Sequence, residues 1–227
     1  MSEARPAPGA QTLARGLRAL QLVALAPHGA SIAEIADQLE VHRTIASRLL
    51  STLADFKLIV RLPDGRYRVG SGIAALASGV HSTLRVTSDP ILRDLAESMG
   101  ATVTLLIAEG DEAVALAVIA PASSQYHLAF SAGGRHPIRR AAGGVALLAA
   151  GPVLPGEDPR VTEARDAGFA STFGEVEPGA YGVAVPIDLP EGFPRACLNL
   201  ITHRAEIADA SIAALQAASR QIATLLS

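Results

Sequence analysis

Apolar and polar residues alternate at helical spacing between Ser31 and Leu50, which predicts two short helices joined by a tight turn. Ser31 and Glu34 have the spacing of a capping box, in which each side chain satisfies a backbone N–H at the start of a helix. Glu40-Val41-His42 is the predicted turn. The predicted buried faces are Ile32, Ile35, Ala36 and Leu39 in the first helix and Ile45, Leu49, Leu53 and Phe56 in the second.

The second helix has a polar face opposite its apolar one. Such a helix can rest on a protein core and present side chains to base edges in a DNA major groove. An ordinary solvated helix has the same pattern, so the helix alone leaves both interpretations open. The polar face consists of Arg43, Thr44, Ser47, Arg48 and Ser51.

A basic hairpin is predicted directly after these helices. Residues 58–69 form two short β-rich runs around Asp64-Gly65, a dipeptide typical of hairpin turns. An earlier helix over residues 12–26 supplies Leu13, Leu17, Leu20, Leu22 and Leu25 to the predicted core. This order is that of a winged helix-turn-helix, in which wing arginines contact phosphates. The candidate phosphate ligands are Arg61, Arg66 and Arg68.

The distribution of charge supports DNA binding by the first part of the chain only. Residues 1–80 carry nine Arg and Lys against six Asp and Glu, whereas the whole chain has a net charge of −3. A local excess of three positive charges favours nucleic acid but predicts weak binding by a single copy. We therefore expect a homodimer that places two such helices on two half-sites of double-stranded DNA.

Composition limits the class of protein. The 227 residues are 49% hydrophobic, with no Trp and one cysteine, Cys197. No apolar run reaches the roughly 18 residues of a membrane span, and residues 1–10 lack a signal core and are expected to form a flexible arm. These features predict a cytoplasmic protein without a membrane partner. The six histidines lack metal-ligand spacing and no P-loop or Gly-x-Ser-x-Gly motif occurs, so we expect no metal, no cofactor and no enzymatic activity.

The remaining chain predicts a connecting helix and an α+β domain. Residues 71–84 have helical apolar spacing, which fits either a helix packed on its own chain or one that pairs in a dimer; another helix is expected from Asp89-Pro90 to Met99. Beyond residue 101, a hairpin around Gly110, a strand over 126–130, strands over 182–187 and 196–201, and intervening helices favour an antiparallel sheet. The expected domains are a winged helix-turn-helix domain over residues 11–70, a linker or dimerisation helix over 71–87, and an α+β domain over 88–227.

Five weak motifs in the same order resemble the IclR family of transcriptional regulators. They are Leu13-Ala-Arg-Gly-Leu-Arg-Ala-Leu, the helix pair with Arg48-Leu-Leu, Tyr67-Arg-Val-Gly70, Pro137 to Ala149, and the blocks from Arg165 to Ile187. The resemblance implies a homodimer or dimer of dimers whose carboxy-terminal domain is GAF-like and binds a small effector. The effector positions it implies are Ala142, Gly143, Gly144, Asn199 and Ile201.

Several residues depart from the family pattern. Arg139-Arg140 replaces His-Ala, Val145 replaces Lys, and Thr44-Ile45 replaces Ser-Thr in the recognition helix. Arg139 is therefore added to the candidate effector residues: an arginine facing the pocket favours an anionic effector, whereas two solvent-facing arginines favour a subunit contact. Exposed N–H groups at the start of the helix after Arg140 would also suit a carboxylate, although Gly143-Gly144 fits a simple tight turn equally.

Together these features predict a repressor-type transcriptional regulator whose operator binding is modulated by a small molecule, a carboxylate being one option. Two alternatives stay open. One is a regulator with a vestigial pocket that acts without a ligand. The other is a small-molecule sensor or enzyme that uses its amino-terminal helices only for protein contacts.

Overall fold

The computed structural model of the chain describes residues 10–122 and 131–227, which form two compact units, 10–80 and 81–227. The first nine residues and the strand expected over 126–130 lie outside the described residues. Within the described part, no helix is both long and apolar enough to cross a membrane.

The first unit contains four helices and a two-stranded hairpin. Its core is formed by residues such as Ala19, Ile35, Leu50, Ile59 and Tyr67, which come from the first three helices and the hairpin. The elements are α1 (Gln11–Leu25), α2 (Ile32–Gln38), α3 (Arg43–Asp55), β1 (Ile59–Arg61), β2 (Tyr67–Val69) and α4 (Gly72–Ser78).

Local sequence signals specify this unit well. The Ser31–Glu34 capping box is present, with both reciprocal hydrogen bonds at the start of α2. The antiparallel hairpin is also present, and Gly65 occupies its turn with a φ of +85°, a conformation that glycine adopts without steric penalty. The predicted helix-turn-helix and its wing are therefore confirmed.

The buried faces of α1 and α3 differ from those predicted. Leu13 and Leu25 of α1 are exposed. The smaller residues Ala19 and Val23 are buried instead, because Ala19 and Val23 face α3 and β2 at close range. In α3, Ala46 and Leu50 join Leu49 and Leu53 in the core, whereas Ile45 and Phe56 are exposed. The apolar stripe of α3 is thus rotated by about one residue.

The second unit is a six-stranded antiparallel sheet between two layers of helices. The strand order is β5-β4-β3-β8-β7-β6, so β3 and β8 are central. The elements are α5 (Ser82–Met99), β3 (Thr102–Glu109), β4 (Glu112–Ile119), β5 (Arg135–Pro137), α6 (Ala141–Ala149), α7 (Pro159–Ala167), β6 (Ala170–Phe173), β7 (Tyr181–Ile187), β8 (Ala196–Thr202) and α8 (Ala205–Leu226).

Two apolar layers explain why the central strands are almost continuously hydrophobic. Leu105 and Leu198 point toward α5 and α8, whereas Leu106 and Cys197, one position along each strand, point toward α6 and α7. Side chains alternate along a strand, so a strand covered on both faces buries successive residues. The predicted α+β class with an antiparallel sheet is confirmed.

The connecting region differs from the single helix predicted over 71–84. Helix α4 ends at Ser78, His81 has a left-handed φ of 42°, and α5 begins at Ser82. Helix α5 then continues through Pro90, where a new helix was expected. Buried Leu84, Leu92 and Leu95 share its packed face, and this burial outweighs the hydrogen bond that Pro90 cannot donate.

Candidate nucleic-acid interface and small-molecule cavity

An open groove of about 990 Å³ runs along the exposed face of α3. Its walls are the first turn of α2, the exposed side of α3 and Gly65 of the wing. The described lining residues are Ser31, Ile32, Ala33, Arg43, Thr44, Ser47, Arg48 and Gly65. Four of the five residues predicted on the polar face of α3 thus share one concave surface, and Ser51 is exposed farther along the helix.

Two of these residues carry a positive charge that no described residue pairs. The guanidinium groups of Arg43 and Arg48 make no hydrogen bond or ion pair with the described residues, and both side chains are exposed. Arg61 and Arg68 of the wing are likewise exposed and unpaired within the same part of the chain. These four groups are available to an external polyanion.

The start of α3 is capped by a residue that the sequence does not predict as an N-cap. His42 is the N-cap: its Nδ1 accepts the Thr44 N–H at 3.3 Å and lies 3.0 Å from Thr44 Oγ1. Histidine is not among the common N-cap residues, so the capping rules gave no signal here. This cap fixes the position of Thr44 at the mouth of the groove.

Arg66 has a different environment from the other wing arginines. Its Nη2 donates to Glu34 at 2.8 and 3.0 Å and its Nε donates to the Gly29 carbonyl at 3.0 Å. The main-chain N–H of Ser31 and the Arg66 guanidinium hold the pKa of the Glu34 carboxyl below its ordinary value. Arg66 therefore ties the wing to the start of α2, which the prediction of a phosphate ligand did not anticipate.

The second unit contains a partly open cavity between α6, β6, β7 and β8. Its walls are largely aliphatic, with a few polar groups. The described lining residues are Leu106, His136, Ala141, Gly143, Thr172, Glu175, Val176, Glu177, Ala180, Tyr181, Gly182, Asn199 and Ile201.

Three of the six predicted effector residues line this cavity: Gly143, Asn199 and Ile201. Arg139, Ala142 and Gly144 are not among its lining residues, and Arg139 is exposed to solvent. The two glycines lie inside α6 and have packing roles. A Cβ on Gly143 would lie 2.3 Å from Leu106 Cδ1, and one on Gly144 would lie 2.0 Å from the Ile138 carbonyl oxygen.

The amino terminus of α6 already has acceptors from its own chain. The Ala141 N–H donates to Glu175 Oε2 at 2.7 Å and the Ala142 N–H donates to Thr172 Oγ1 at 3.0 Å. Ala141 has a left-handed φ of 59°, uncommon for a residue with a Cβ. Glu175 and Thr172 lie 34 and 30 residues along the chain from the N–H groups that they accept, so no local spacing could have identified them as caps.

Cys197 lies under the first turn of α6. Its thiol donates to the Gly143 carbonyl at 3.4 Å, and complete burial raises the pKa of the thiol far above its ordinary value. The group is therefore a packed core side chain and not a nucleophile. No cluster of three His, Cys, Asp or Glu side chains with metal-ligand geometry occurs among residues 10–122 and 131–227.

A family model described as the IclR helix-turn-helix domain matches residues 12–63, which span α1, the α2–α3 pair and β1. The regulator Rv1719 of Mycobacterium tuberculosis is 32% identical over 145 residues, and TtgV of Pseudomonas putida is 30% identical over 145 residues. Both are named HTH-type transcriptional regulators. Residues 12–63 thus match the IclR helix-turn-helix domain, and the chain is similar to regulators of that type.

The matched segment is 63% of this chain but 56% of the length of each of those two regulators, so the chain spans little more than half of them. The solved IclR homologue of Microbacterium hydrocarbonoxydans, in complex with 4-hydroxybenzoate, has a TM-score of 0.81 and 24% identity. That likeness covers 95% of this chain and 98% of the homologue. The whole described fold is thus an IclR fold.

Proposed function

We propose that this chain is a DNA-binding transcriptional regulator of the repressor type, whose operator affinity is modulated by a small molecule bound in the cavity. The groove along α3 carries the first half of the proposal. It brings Arg43, Thr44, Ser47 and Arg48 to one exposed surface, where neither guanidinium group has a partner among residues 10–122 and 131–227. Regulators in this family are not enzymes, which agrees with the expectation from sequence.

In this proposal α3 enters the major groove and the wing lies along the backbone. Arg43 and Arg48 contact base edges or nearby phosphates, Thr44, Ser47 and Ser51 add hydrogen bonds, and Arg61 and Arg68 hold phosphates. Arg66 holds the wing next to the start of α2, because its guanidinium is bound to Glu34 and to the Gly29 carbonyl. The modest local charge supports a homodimer or dimer of dimers on paired half-sites.

The cavity supports the second half. Ligand sites of proteins are largely apolar clefts with a few placed polar groups, and the wall composition around Asn199 fits that description. The family homologue whose fold is shared was solved with 4-hydroxybenzoate. We propose that ligand binding shifts the population of DNA-competent dimers through the segment 71–87.

Fluorescence anisotropy with the DNA that flanks the gene for this chain tests the DNA half. Each arginine in contact with a base or phosphate contributes about 1–3 kcal/mol, so Arg43→Ala/Arg48→Ala is expected to weaken binding at least about 30-fold. Arg139→Ala/Arg220→Ala removes the same charge from exposed positions of the second unit and is the matched control.

Salt dependence supplies a second readout. The affinity of the unaltered chain must fall steeply as salt rises, and the slope must be smaller for the Arg43/Arg48 variant. Equal binding by the variant and the control, or an affinity independent of salt, would show that the helices serve protein contacts instead.

A further inference from the structure

The proposed ligand site has no lysine or arginine among the described residues that line it. Its ionisable wall residues are Glu175, Glu177, His136 and Tyr181, and neither Arg139 nor Arg140 is part of the wall. The Arg140 guanidinium donates to the main-chain carbonyl of Glu175 instead. A ligand carboxylate would therefore meet negative wall groups without a fixed positive partner.

The one position suited to an anion is filled by the protein. Glu175 Oε2 accepts the first N–H of α6 at 2.7 Å, and Glu175 Oε1 accepts from Arg160 at 3.2 Å. Arg160 is in turn held by Asp158 at 2.8 Å. Both oxygens of Glu175 thus have donors, so a ligand carboxylate would have to break this network to reach the helix terminus.

Asn199 supplies an acceptor in the cavity wall. The Thr104 hydroxyl donates its single proton to the main-chain carbonyl of Asn199, so it can only accept from the Asn199 amide, whose Nδ2 lies 3.2 Å away. This fixes the orientation of the amide. Oδ1 has no donor among the described residues, and a Cβ added at Gly182, another wall residue, would lie 3.7 Å from it.

Gly182 provides the space beside that acceptor. An added Cβ would lie 3.4 Å from Thr172 Oγ1 and 3.6 Å from Ala142 Cβ, which are ordinary contact distances. Alanine therefore fits at this position, whereas a larger side chain would occupy the cavity in front of Asn199.

From these contacts we infer that the cavity selects an uncharged, mainly apolar small molecule with an O–H or N–H donor directed to Asn199 Oδ1, and discriminates against carboxylates. This inference rests on the proposed function, because it assigns the chemical class of the ligand at the same site. It also replaces the anionic effector that the small residues of α6 first indicated.

Three probes of one size separate charge from donor capacity: 3-fluorobenzamide, 3-fluorobenzoate and methyl 3-fluorobenzoate. Binding to the full chain is followed by ¹⁹F NMR line broadening over a concentration series. The amide should bind at least tenfold more tightly than the carboxylate, which is charged and lacks a donor, and more tightly than the ester, which is uncharged and lacks a donor. Gly182→Val should abolish amide binding, and Asn199→Ala should weaken it about tenfold or more.

Glu175→Gln keeps an acceptor for the Ala141 N–H and removes the negative charge, so it should narrow the difference between amide and carboxylate. Preferred binding of the carboxylate, equal binding of amide and ester, unchanged binding in Gly182→Val, or binding of none of the probes would each overturn the inference. Anisotropy with DNA on the same samples tests the regulator proposal independently, since DNA binding can persist when the ligand class is wrong.

Discussion

The arginines of the two units are used differently. In the first unit, Arg43, Arg48, Arg61 and Arg68 have no partner among the described residues. In the second, several guanidinium groups bind carboxylates or carbonyl oxygens of the same unit, among them those of Arg135, Arg140, Arg160, Arg165 and Arg195. The sign of a domain's net charge is therefore less informative than whether its charges are already paired.

Helical glycines also differ between the two units, in how closely other atoms pack against them. Gly144 in α6 lies against the backbone of Ile138, whereas an added Cβ on Gly16 in α1 would meet only Leu49 Cδ2, at 3.9 Å. We expect Gly144→Ala to lower the free energy of unfolding by about 3 kcal/mol or more, because a backbone carbonyl cannot move aside cheaply. Gly16→Ala should raise it by about 0.5–1 kcal/mol, since alanine favours helix over glycine.

Urea unfolding followed by circular dichroism measures both changes, and separate transitions of the units must be fitted separately. Equal midpoints for Gly144→Ala and the unaltered chain would mean that α6 can move away from Ile138 at little cost.

The paired arginines should matter for stability and the unpaired ones should not. Arg165 donates to the Gly151 carbonyl at 2.6 Å and to Glu157 at 3.1 Å, and also to the Ala149 carbonyl at the end of α6. Charge-assisted hydrogen bonds contribute about 1.5–3 kcal/mol, so Arg165→Ala should destabilise the second unit by about 2 kcal/mol. Arg48→Ala should change stability by less than about 0.5 kcal/mol while it weakens DNA binding. Similar unfolding midpoints for the two variants would remove the distinction.

Arg66 is a paired arginine of the first unit, and its partner Glu34 should make that unit acid-sensitive. The pKa of Glu34 is lower in the folded state than in the unfolded chain. The stabilisation that the Glu34 carboxylate adds to the free energy of unfolding is therefore complete above the unfolded pKa of about 4.3, and it is lost as pH falls through the folded pKa. Glu34→Gln should flatten this part of the acid dependence in unfolding experiments between neutral and acidic pH. Glu40→Gln, six residues along the chain and without a side-chain partner among the described residues, should leave it unchanged.

Local signals predicted the first unit better than the second. The capping box of Ser31 and Glu34 and the turn at Gly65 act within a few residues, so the sequence alone indicated them. The caps of α6 could not be found in this way, because Glu175 and Thr172 come from a loop and a strand 34 and 30 residues away. The sequence predicts a ligand site or a turn at Gly143 and Gly144, and only their distances to Leu106 and Ile138 reveal a packing role.

Burial was also harder to predict than helix position. The leucines of α1 had the right spacing for a core, yet the space against α3 admits Ala19 at 0% exposure and leaves Leu25 at 80%. Likewise, Pro90 is a strong local signal for a helix start, but the packed face of α5 overrides it. In both cases tertiary packing decided between options that the sequence left equally available.

Cys197 is a natural probe for opening of the second unit. It is the chain's one cysteine, and its thiol lies fully buried beneath Gly143. A thiol reagent can therefore label the folded chain only during excursions in which α6 separates from the sheet or the unit unfolds. The labelling rate measures the frequency of those openings directly, in the unaltered protein and without an introduced probe.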